Sequence, residues 1–357
     1  MKRLSDTDKI ATALPNLELW SLDPADRVIT KEAKNLPFLN WPDGRPCTPA
    51  NLFMLSLRDR PGKAKLPLSR RDNKGGTIGG YASKVSQLIR YCFYSQKYFL
   101  ELNDVDFSKF ILSLRKEKSI TNVMENQKNE NTLTATGIVC LDFLMHVATV
   151  AGRDDFISET GSIRVSYIDY VVRMPSGQLI TRSRIHHHSF SAGEASAPRH
   201  PVSDASIQAL HEAIDKDPTS RFINQRRHLH LAFLEFLGPR RGELAQVTLQ
   251  ALAQAEKMKY PELEMQVFKQ GKVATRRVPI TNMLLGQARK FINTQRAEII
   301  LKHTKNGEPD HGYLFISHTT GAPLAATTLT NEIDDFRRAT EISKDTCAHM
   351  FRHAFLH

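Results

Sequence analysis

The sequence predicts a mainly α-helical protein with small β-hairpins, an α+β fold divided into at least two domains. Three observations lead to this prediction. The chain has 357 residues, which is more than one compact core usually holds. Apolar residues recur at helical spacing over several stretches and alternate in strand fashion around a few turn signals. Small residues between positions 191 and 201 form a linker, where we place the main domain boundary.

The first 75 residues are predicted to form an irregular extension. Prolines stand at eight positions there, and proline at this density interrupts helices and strands. Positions 58–74 are basic, which is typical either of a solvated linker or of a DNA-contacting arm that carries Arg70 and Arg71. Residues 76–160 are predicted to be a small helical bundle, with Asn103, Asp104 or Asp106 as the N-cap of its second helix.

A β-hairpin is predicted between positions 162 and 185, because apolar residues alternate on both sides of a Pro-Ser-Gly turn at 175–177. Its second strand carries Arg182 and Arg184, which we expect to contact DNA, and runs into three histidines at 186–188. Neighbouring side chains on an extended segment point to opposite faces. That geometry favours a solvent or phosphate contact over a metal site.

Residues 202–357 are predicted to form the second domain. A helix capped by Ser203 opens it, and the helix after that shows a buried face from Leu229 to Leu237. The remaining elements are predicted in this order: a helix from Arg240 to Leu252, two strands between 263 and 280, a helix from 284 to 301, an apolar segment at 314–317 with a turn at 321–324, a helix from 333 to 339, and a last helix around His349.

Composition limits the partners and the compartment. The net charge of +11 and the pI of about 9.5 favour a polyanionic partner, most often nucleic acid. The four cysteines are scattered, which disfavours disulfides and a zinc knuckle and suits a reducing, cytoplasmic location. No apolar run approaches the length of a membrane span, and no secretory signal opens the chain, so we expect no membrane partner.

Two short basic motifs could carry phosphate chemistry. The first runs from Gly238 to Glu243 through Arg240, and the second places His349 one helical turn before Arg352. Guanidinium groups donate two parallel hydrogen bonds to phosphate oxygens and so stabilise a pentavalent phosphorus. A lysine can protonate the departing oxygen. Such a site needs no metal and no other cofactor.

A zinc-dependent hydrolase is a rival interpretation of the second motif, because His349 and His353 stand at i and i+4. In zinc peptidases of this pattern the first histidine precedes a glutamate base, whereas Met350 stands there in this chain. No third ligand is evident in the sequence, so we expect no metal site.

Together the two motifs resemble the arginine box and the His-x-x-Arg box of the tyrosine site-specific recombinases, the phage-integrase family. The resemblance covers residues 203–357, where the intervening hairpin, turn and helices also follow the family order, and residues 76–160 resemble the family's helical core-binding domain. It implies that Arg240 and Arg352 are the catalytic arginines, His349 the catalytic histidine and Glu243 the accompanying acid. The catalytic lysine would be Lys269 or Lys272, and Lys269 is preferred because a turn longer by two residues keeps strand parity.

The resemblance implies DNA recombination or integration through a 3′-phosphotyrosyl intermediate, in the service of a mobile genetic element. Double-stranded DNA and further protomers, four on paired sites, would be the partners. The family's tyrosine follows the second box, whereas this chain ends at His357, so we expect a truncated form that binds DNA without cleaving it. Three alternatives stay open: a non-catalytic regulator or architectural protein of the same fold, a type IB topoisomerase-like enzyme, and the metal-dependent hydrolase.

Overall fold

The computed structural model describes residues 10–62, 67–70, 76–117, 128–174, 176–193, 200–267, 274–303, 309–340, 342 and 347–356. The chain divides into two compact units, residues 1–196 and 197–357, and each has its own hydrophobic core. Among the described residues, helices dominate and the strands form separate two-stranded sheets. The fold class is therefore mainly α with small β-sheets, as the sequence predicts.

The N-terminal segment of the first unit is regular, which corrects the prediction of an irregular extension. Strand β1 (Ala11–Leu14) pairs with β4 (Leu36–Leu39), β2 (Glu18–Leu22) pairs with β3 (Val28–Glu32), and helix α1 (Thr48–Asp59) follows. A proline in the first turn of α1 removes an N–H that has no partner within the helix anyway. This segment packs into the core of the first unit.

The predicted helical bundle is confirmed. It consists of α2 (Gly76–Tyr94), a short 3-10 turn, α3 (Asp104–Arg115) and α4 (Glu130–Val150). Asn103 is the N-cap of α3, and its side chain accepts a hydrogen bond from the backbone N–H of Asp106 at 3.0 Å.

Within the described part of the chain, α4 is long and apolar enough to cross a membrane, contrary to the expectation that no apolar run reaches this length. Its apolar window has a mean hydropathy of 1.7, and 56% of that window is buried inside the protein. Leu141, Phe143 and Leu144 of α4 are fully buried in the first core. These contacts are those of a core helix.

The predicted hairpin is also confirmed. After the two-residue strands β5 (Ile157–Ser158) and β6 (Ile163–Arg164), strands β7 (Ser166–Arg173) and β8 (Leu179–His186) pair antiparallel. We call β7 and β8 together the ribbon. Its residues are exposed or half-buried along both strands, so its two faces are open to solvent within the first unit.

The second unit contains the elements that the sequence predicts, with the helix predicted at 240–252 divided in two and the helix predicted at 284–301 interrupted by a π-helical turn. Its elements are α5 (Asp204–Lys216), α6 (Arg221–Leu237), α7 (Arg241–Ala245), α8 (Leu249–Glu256), β9 (Glu262–Val267), β10 (Ala274–Pro279), α9 (Asn282–Phe291), a π-helical turn (Ile292–Arg296), α10 (Ala297–His303), α11 (Ala326–Ala339) and α12 (Ala348–Leu356). Strands β9 and β10 pair antiparallel.

The helix predicted from Arg240 to Leu252 is wrong as a single helix. It ends at Ala245, and Thr248 then caps α8 by accepting a hydrogen bond from the backbone N–H of Ala251 at 3.2 Å. The intervening backbone bonds to a distant segment instead, because the N–H of Leu314 donates to the Val247 carbonyl at 2.9 Å. The helical spacing of apolar residues does not predict such a tertiary contact.

Candidate phosphate-binding site

The turn between α6 and α7 positions Arg240. Helix α6 ends at Leu237, and its C-cap is Gly238, whose φ of +50° lies in the left-handed region that glycine adopts without strain. Pro239 follows, and Arg240 is the N-cap of α7. The backbone N–H of Arg240 donates to Oε2 of Glu243 at 3.1 Å. The first turn of this short helix is therefore closed by the Glu243 carboxylate.

Glu243 is the centre of the site. Its side chain is fully buried, and Oε1 accepts a hydrogen bond from Nη1 of Arg240 at 2.6 Å. Oε2 accepts from Nε and Nη2 of Arg276 at 3.2 and 2.9 Å. Burial alone would raise the pKa of Glu243, but the hydrogen bonds from Arg240 and Arg276 outweigh burial and lower it. The carboxylate is therefore ionised at neutral pH.

Arg352 joins the same cluster from α12. Its Nη1 lies 4.0 Å from Oε2 of Glu243 and donates to the carbonyl of Gly238 at 2.8 Å. The buried side chains of Met350 and Phe351 hold α12 in the second core. Burial lowers the pKa of Arg352, and repulsion from the neighbouring arginines lowers it further. We call Arg240, Arg276 and Arg352 with Glu243 the arginine cluster.

His349 lies on α12 one turn before Arg352, and its side chain is exposed. Its ring centroid is 5.0 Å from that of His353, with the two rings nearly perpendicular. No third metal-ligating side chain lies in reach of these histidines among the residues of the second unit that the structure describes. The geometry therefore gives no support to the zinc-dependent hydrolase.

The structure brings together three of the residues that the sequence singled out, namely Arg240, Glu243 and Arg352. The two lysine candidates, Lys269 and Lys272, lie outside the described residues. Of the N-terminal pair, Arg70 is half-buried and donates to the carbonyl of Lys34 at 3.2 Å, and Arg71 is outside the described residues as well.

Arg276 was missed by sequence reasoning, although the sequence contains a signal for it. Residues two apart on a strand share a face, and Val278 is an apolar core residue of β10. Arg276 therefore faces inward with Val278, whereas Arg277 faces outward. The Arg277 side chain is 61% exposed, and its Nε lies 4.0 Å from Oε2 of Glu264.

The arginine cluster can bind an oxyanion. Three guanidinium groups share one carboxylate, which leaves two positive charges in excess. The side chains of Arg240, Arg276 and Arg352 are 32%, 25% and 17% exposed, so a ligand can reach them. Planar donors held in place before the ligand arrives suit the extra negative charge of a pentavalent phosphorus.

The histidine run of the first unit lies differently from the prediction. His187 and His188 do not point to opposite faces, because β8 ends at His186 and the chain turns. Nε2 of His187 lies 3.1 Å from Oδ1 of Asp104, and Nε2 of His188 lies 2.9 Å from Oδ2. Asp104 also accepts hydrogen bonds from the backbone N–H and from Nη2 of Arg164, both at 2.9 Å.

This group offers three ligand atoms within 4.8 Å of one another, the spacing of a possible metal site. The contacts of Asp104 instead fit a structural anchor, because four donors including a guanidinium already surround the carboxylate. Burial alone would raise the pKa of Asp104, but the hydrogen bonds from Arg164, His188 and His187 lower it well below its usual range.

No protein-family model and no curated protein sequence matches the chain. Among solved structures, it is similar to the XerH site-specific recombinase bound to palindromic difH substrate, at 16% identity with a TM-score of 0.47 over 78% of this chain and 67% of that one. It is also similar to a lambda integrase(75-356) dimer bound to a COC' core site, at 14% identity with a TM-score of 0.46 over 86% and 84%. Because these sequence identities and TM-scores are low, the chemistry of the site must be inferred from its own side chains.

Proposed function

We propose that the protein is a DNA-binding site-specific recombinase or integrase, whose second unit grips the scissile phosphate of a DNA strand. The observation that carries the proposal is the convergence of Arg240, Arg276 and Arg352 on the buried Glu243 carboxylate. DNA presents a phosphodiester at every nucleotide, and the net charge of +11 suits this polyanion.

In this proposal the residues have distinct tasks. Arg240 and Arg352 donate to the two non-bridging oxygens, and the exposed imidazole of His349 donates to the same group. Arg276 and Glu243 hold the orientation of the cluster. A tyrosine oxygen gives up its proton to solvent and forms the new bond to phosphorus, while the bond to the 5′-oxygen breaks and Lys269 or Lys272 protonates that oxygen as it leaves. The phosphodiester is thereby conserved as a 3′-phosphotyrosyl link and can be rejoined.

A second candidate function is DNA binding without cleavage, as a regulator or architectural protein. One observation favours it. Tyr260 is 78% exposed beside Lys259, and Tyr313 packs against His311, so no tyrosine side chain contacts the arginine cluster within the described part of the second unit. For either function we propose a cytoplasmic protein that acts on double-stranded DNA, together with further protomers where it recombines, and that belongs to a mobile element.

The test uses two pairs of neighbouring arginines. Arg240→Gln and Arg276→Gln alter the cluster, whereas Arg241→Gln and Arg277→Gln remove the same charge from exposed side chains. Each variant is incubated with a pool of nicked, mixed-sequence duplexes. Covalent protein–DNA complexes are then separated from bound DNA in detergent.

Each outcome selects one function. A covalent complex that is lost in the two cluster variants and retained in the two controls establishes strand breakage by this site. DNA binding that weakens in the cluster variants, with no covalent complex in any of the proteins, supports DNA binding without cleavage by this chain. If cluster and control variants bind and react alike, the arginine cluster is not a phosphate site and both functions fail.

A further inference from the structure

The ribbon of the first unit has two chemically different faces. Paired residues of antiparallel strands share a face, and Tyr170 is paired with Arg182 while Ile168 is paired with Arg184. We call this the basic face; its six central residues are Ile168, Tyr170, Val172, Ile180, Arg182 and Arg184. The opposite face carries Asp169 beside Ser183, Arg173 near the turn, and the exposed side chains of Tyr167, Val171 and Leu179, so the two faces differ in charge rather than in apolar character.

Charge is distributed unequally between the two faces. Arg182 and Arg184 are both exposed, and within the described residues neither forms an ion pair with a carboxylate. The Arg184 guanidinium lies 6.0 Å from the ring centroid of Tyr170. The ribbon's one carboxylate, Asp169, is on the opposite face and accepts a hydrogen bond from Oγ of Ser183 at 2.6 Å. The basic face therefore combines cations with exposed apolar and aromatic groups.

The ribbon is anchored at its base before any partner arrives. Asp104, in the first turn of α3, binds Arg164 just before β7 and His187 and His188 just after β8. One buried carboxylate thus ties both ends of the ribbon to the helical bundle. A held arm loses less conformational entropy on binding than a loose loop does.

We infer that the ribbon is a DNA-binding arm whose basic face lies in the major groove of a duplex. Strands of eight residues extend about 26 Å at roughly 3.3 Å per residue, and a major groove about 12 Å wide admits a two-stranded ribbon. Arg182 and Arg184 can reach phosphates or guanine edges, while Ile168 and Tyr170 can contact base methyl groups.

An acidic protein surface is the other polyanion that this face could meet. The depth and regular charge of a DNA groove fit an exposed ribbon with cations on one side better than a flat protein surface does. This inference takes DNA as the ligand from the proposed function, but it does not depend on the arginine cluster in the second unit.

The experiment measures the affinity of the full chain for a mixed-sequence duplex over a range of salt concentrations. Arg182→Gln and Arg184→Gln remove charges from the basic face, and the control Arg173→Gln removes one charge from the opposite face of the same ribbon. Each basic-face variant should bind roughly tenfold more weakly, with a salt dependence reduced by about one unit in log–log slope. The control should retain the wild-type slope.

The groove is tested with the same duplex methylated at guanine N7, an atom that lies in the major groove. Methylation should weaken DNA binding by the wild-type protein and should have less effect on DNA binding by the Arg182→Gln and Arg184→Gln variants. Equal losses in Arg173→Gln and the basic-face variants would mean unspecific attraction and overturn the inference. Unchanged DNA affinity in all three variants would overturn it too and would leave an acidic protein surface as the partner.

The two proposals fail separately. If the Arg240→Gln protein still forms the covalent complex, and Arg182→Gln still weakens DNA binding, the DNA-binding arm is retained and the chemistry lies elsewhere in the chain. If Arg182→Gln and Arg184→Gln bind DNA as wild type does while the covalent reaction is intact, the DNA-binding arm is refuted and the phosphate site is retained.

Discussion

The Glu243→Gln substitution should strongly destabilise the second unit. Glutamine keeps the volume and one carbonyl oxygen, but its amide N–H2 must then face a guanidinium, so two donors meet. A hydrogen bond to a charged group contributes about 1.5–3 kcal/mol, and one such bond is lost while three arginines keep their charges. Because these arginines are partly exposed, water screens the repulsion among them. We expect a loss of about 2–4 kcal/mol in the free energy of unfolding.

The two tryptophans allow the units to be followed separately, because Trp20 and Trp41 both belong to the first unit. Circular dichroism during urea unfolding should show an earlier transition for Glu243→Gln, while tryptophan fluorescence should stay unchanged. The control Glu264→Gln, on the neighbouring strand β9 and 44% exposed, should cost less than about 1 kcal/mol. Equal costs for the two variants would refute the central role of Glu243.

The pH dependence of this effect has a defined sign. The pKa of Glu243 is lowered from its ordinary value of 4.5 in the folded protein. A carboxyl with a lowered pKa stabilises the fold fully above the unfolded pKa and loses that contribution as the pH falls through the folded value. The difference between wild type and Glu243→Gln should therefore be largest near neutral pH and shrink in acid.

Two further substitutions test other contacts. Asp104→Asn should lower the stability of the first unit by about 2–3 kcal/mol, which tryptophan fluorescence during urea unfolding would measure. Because the pKa of Asp104 is lowered in the folded protein, the difference in stability from wild type should shrink as acid protonates the wild-type carboxyl. Gly238→Ala should lower the free energy of unfolding of the second unit by about 1–3 kcal/mol, measured by circular dichroism, and should weaken DNA binding. The reason is that φ is +50° and the new Cβ would lie 2.7 Å from Cβ of Phe355 on α12. An unaltered stability would contradict this close packing of α12 on the turn.

Local signals accounted for most of the secondary structure. The N-caps Asn103 and Ser203 are short-range features, and the structure confirms both of the helices that they begin. The ribbon likewise follows from alternation on either side of a turn. These predictions succeeded because every residue that decides them lies within a few positions of the element itself.

Contacts between distant segments were not predictable in the same way. The break before α8 depends on hydrogen bonds between the segments near 247 and near 314, and the turn that sends His187 and His188 to one carboxylate depends on Asp104. Arg276 belongs to the same class. Its alternation with Val278 indicates the inward face, but its partner Glu243 is 33 positions away, and only the folded chain brings the two side chains together.

The excess of cations at Glu243 distinguishes this cluster from a structural ion pair elsewhere in the same unit. Arg296, only 2% exposed, makes two parallel hydrogen bonds to Asp310 at 2.6 and 2.7 Å, so one carboxylate balances one guanidinium. Stability favours such balance, because an unpaired buried charge is costly. At Glu243 a single carboxylate serves three arginines, and the pKa of Arg352 is lowered by burial and then further by repulsion from Arg240 and Arg276. An arriving phosphate would relieve that repulsion, which is why the imbalance points to an anionic ligand rather than to stabilisation of the fold.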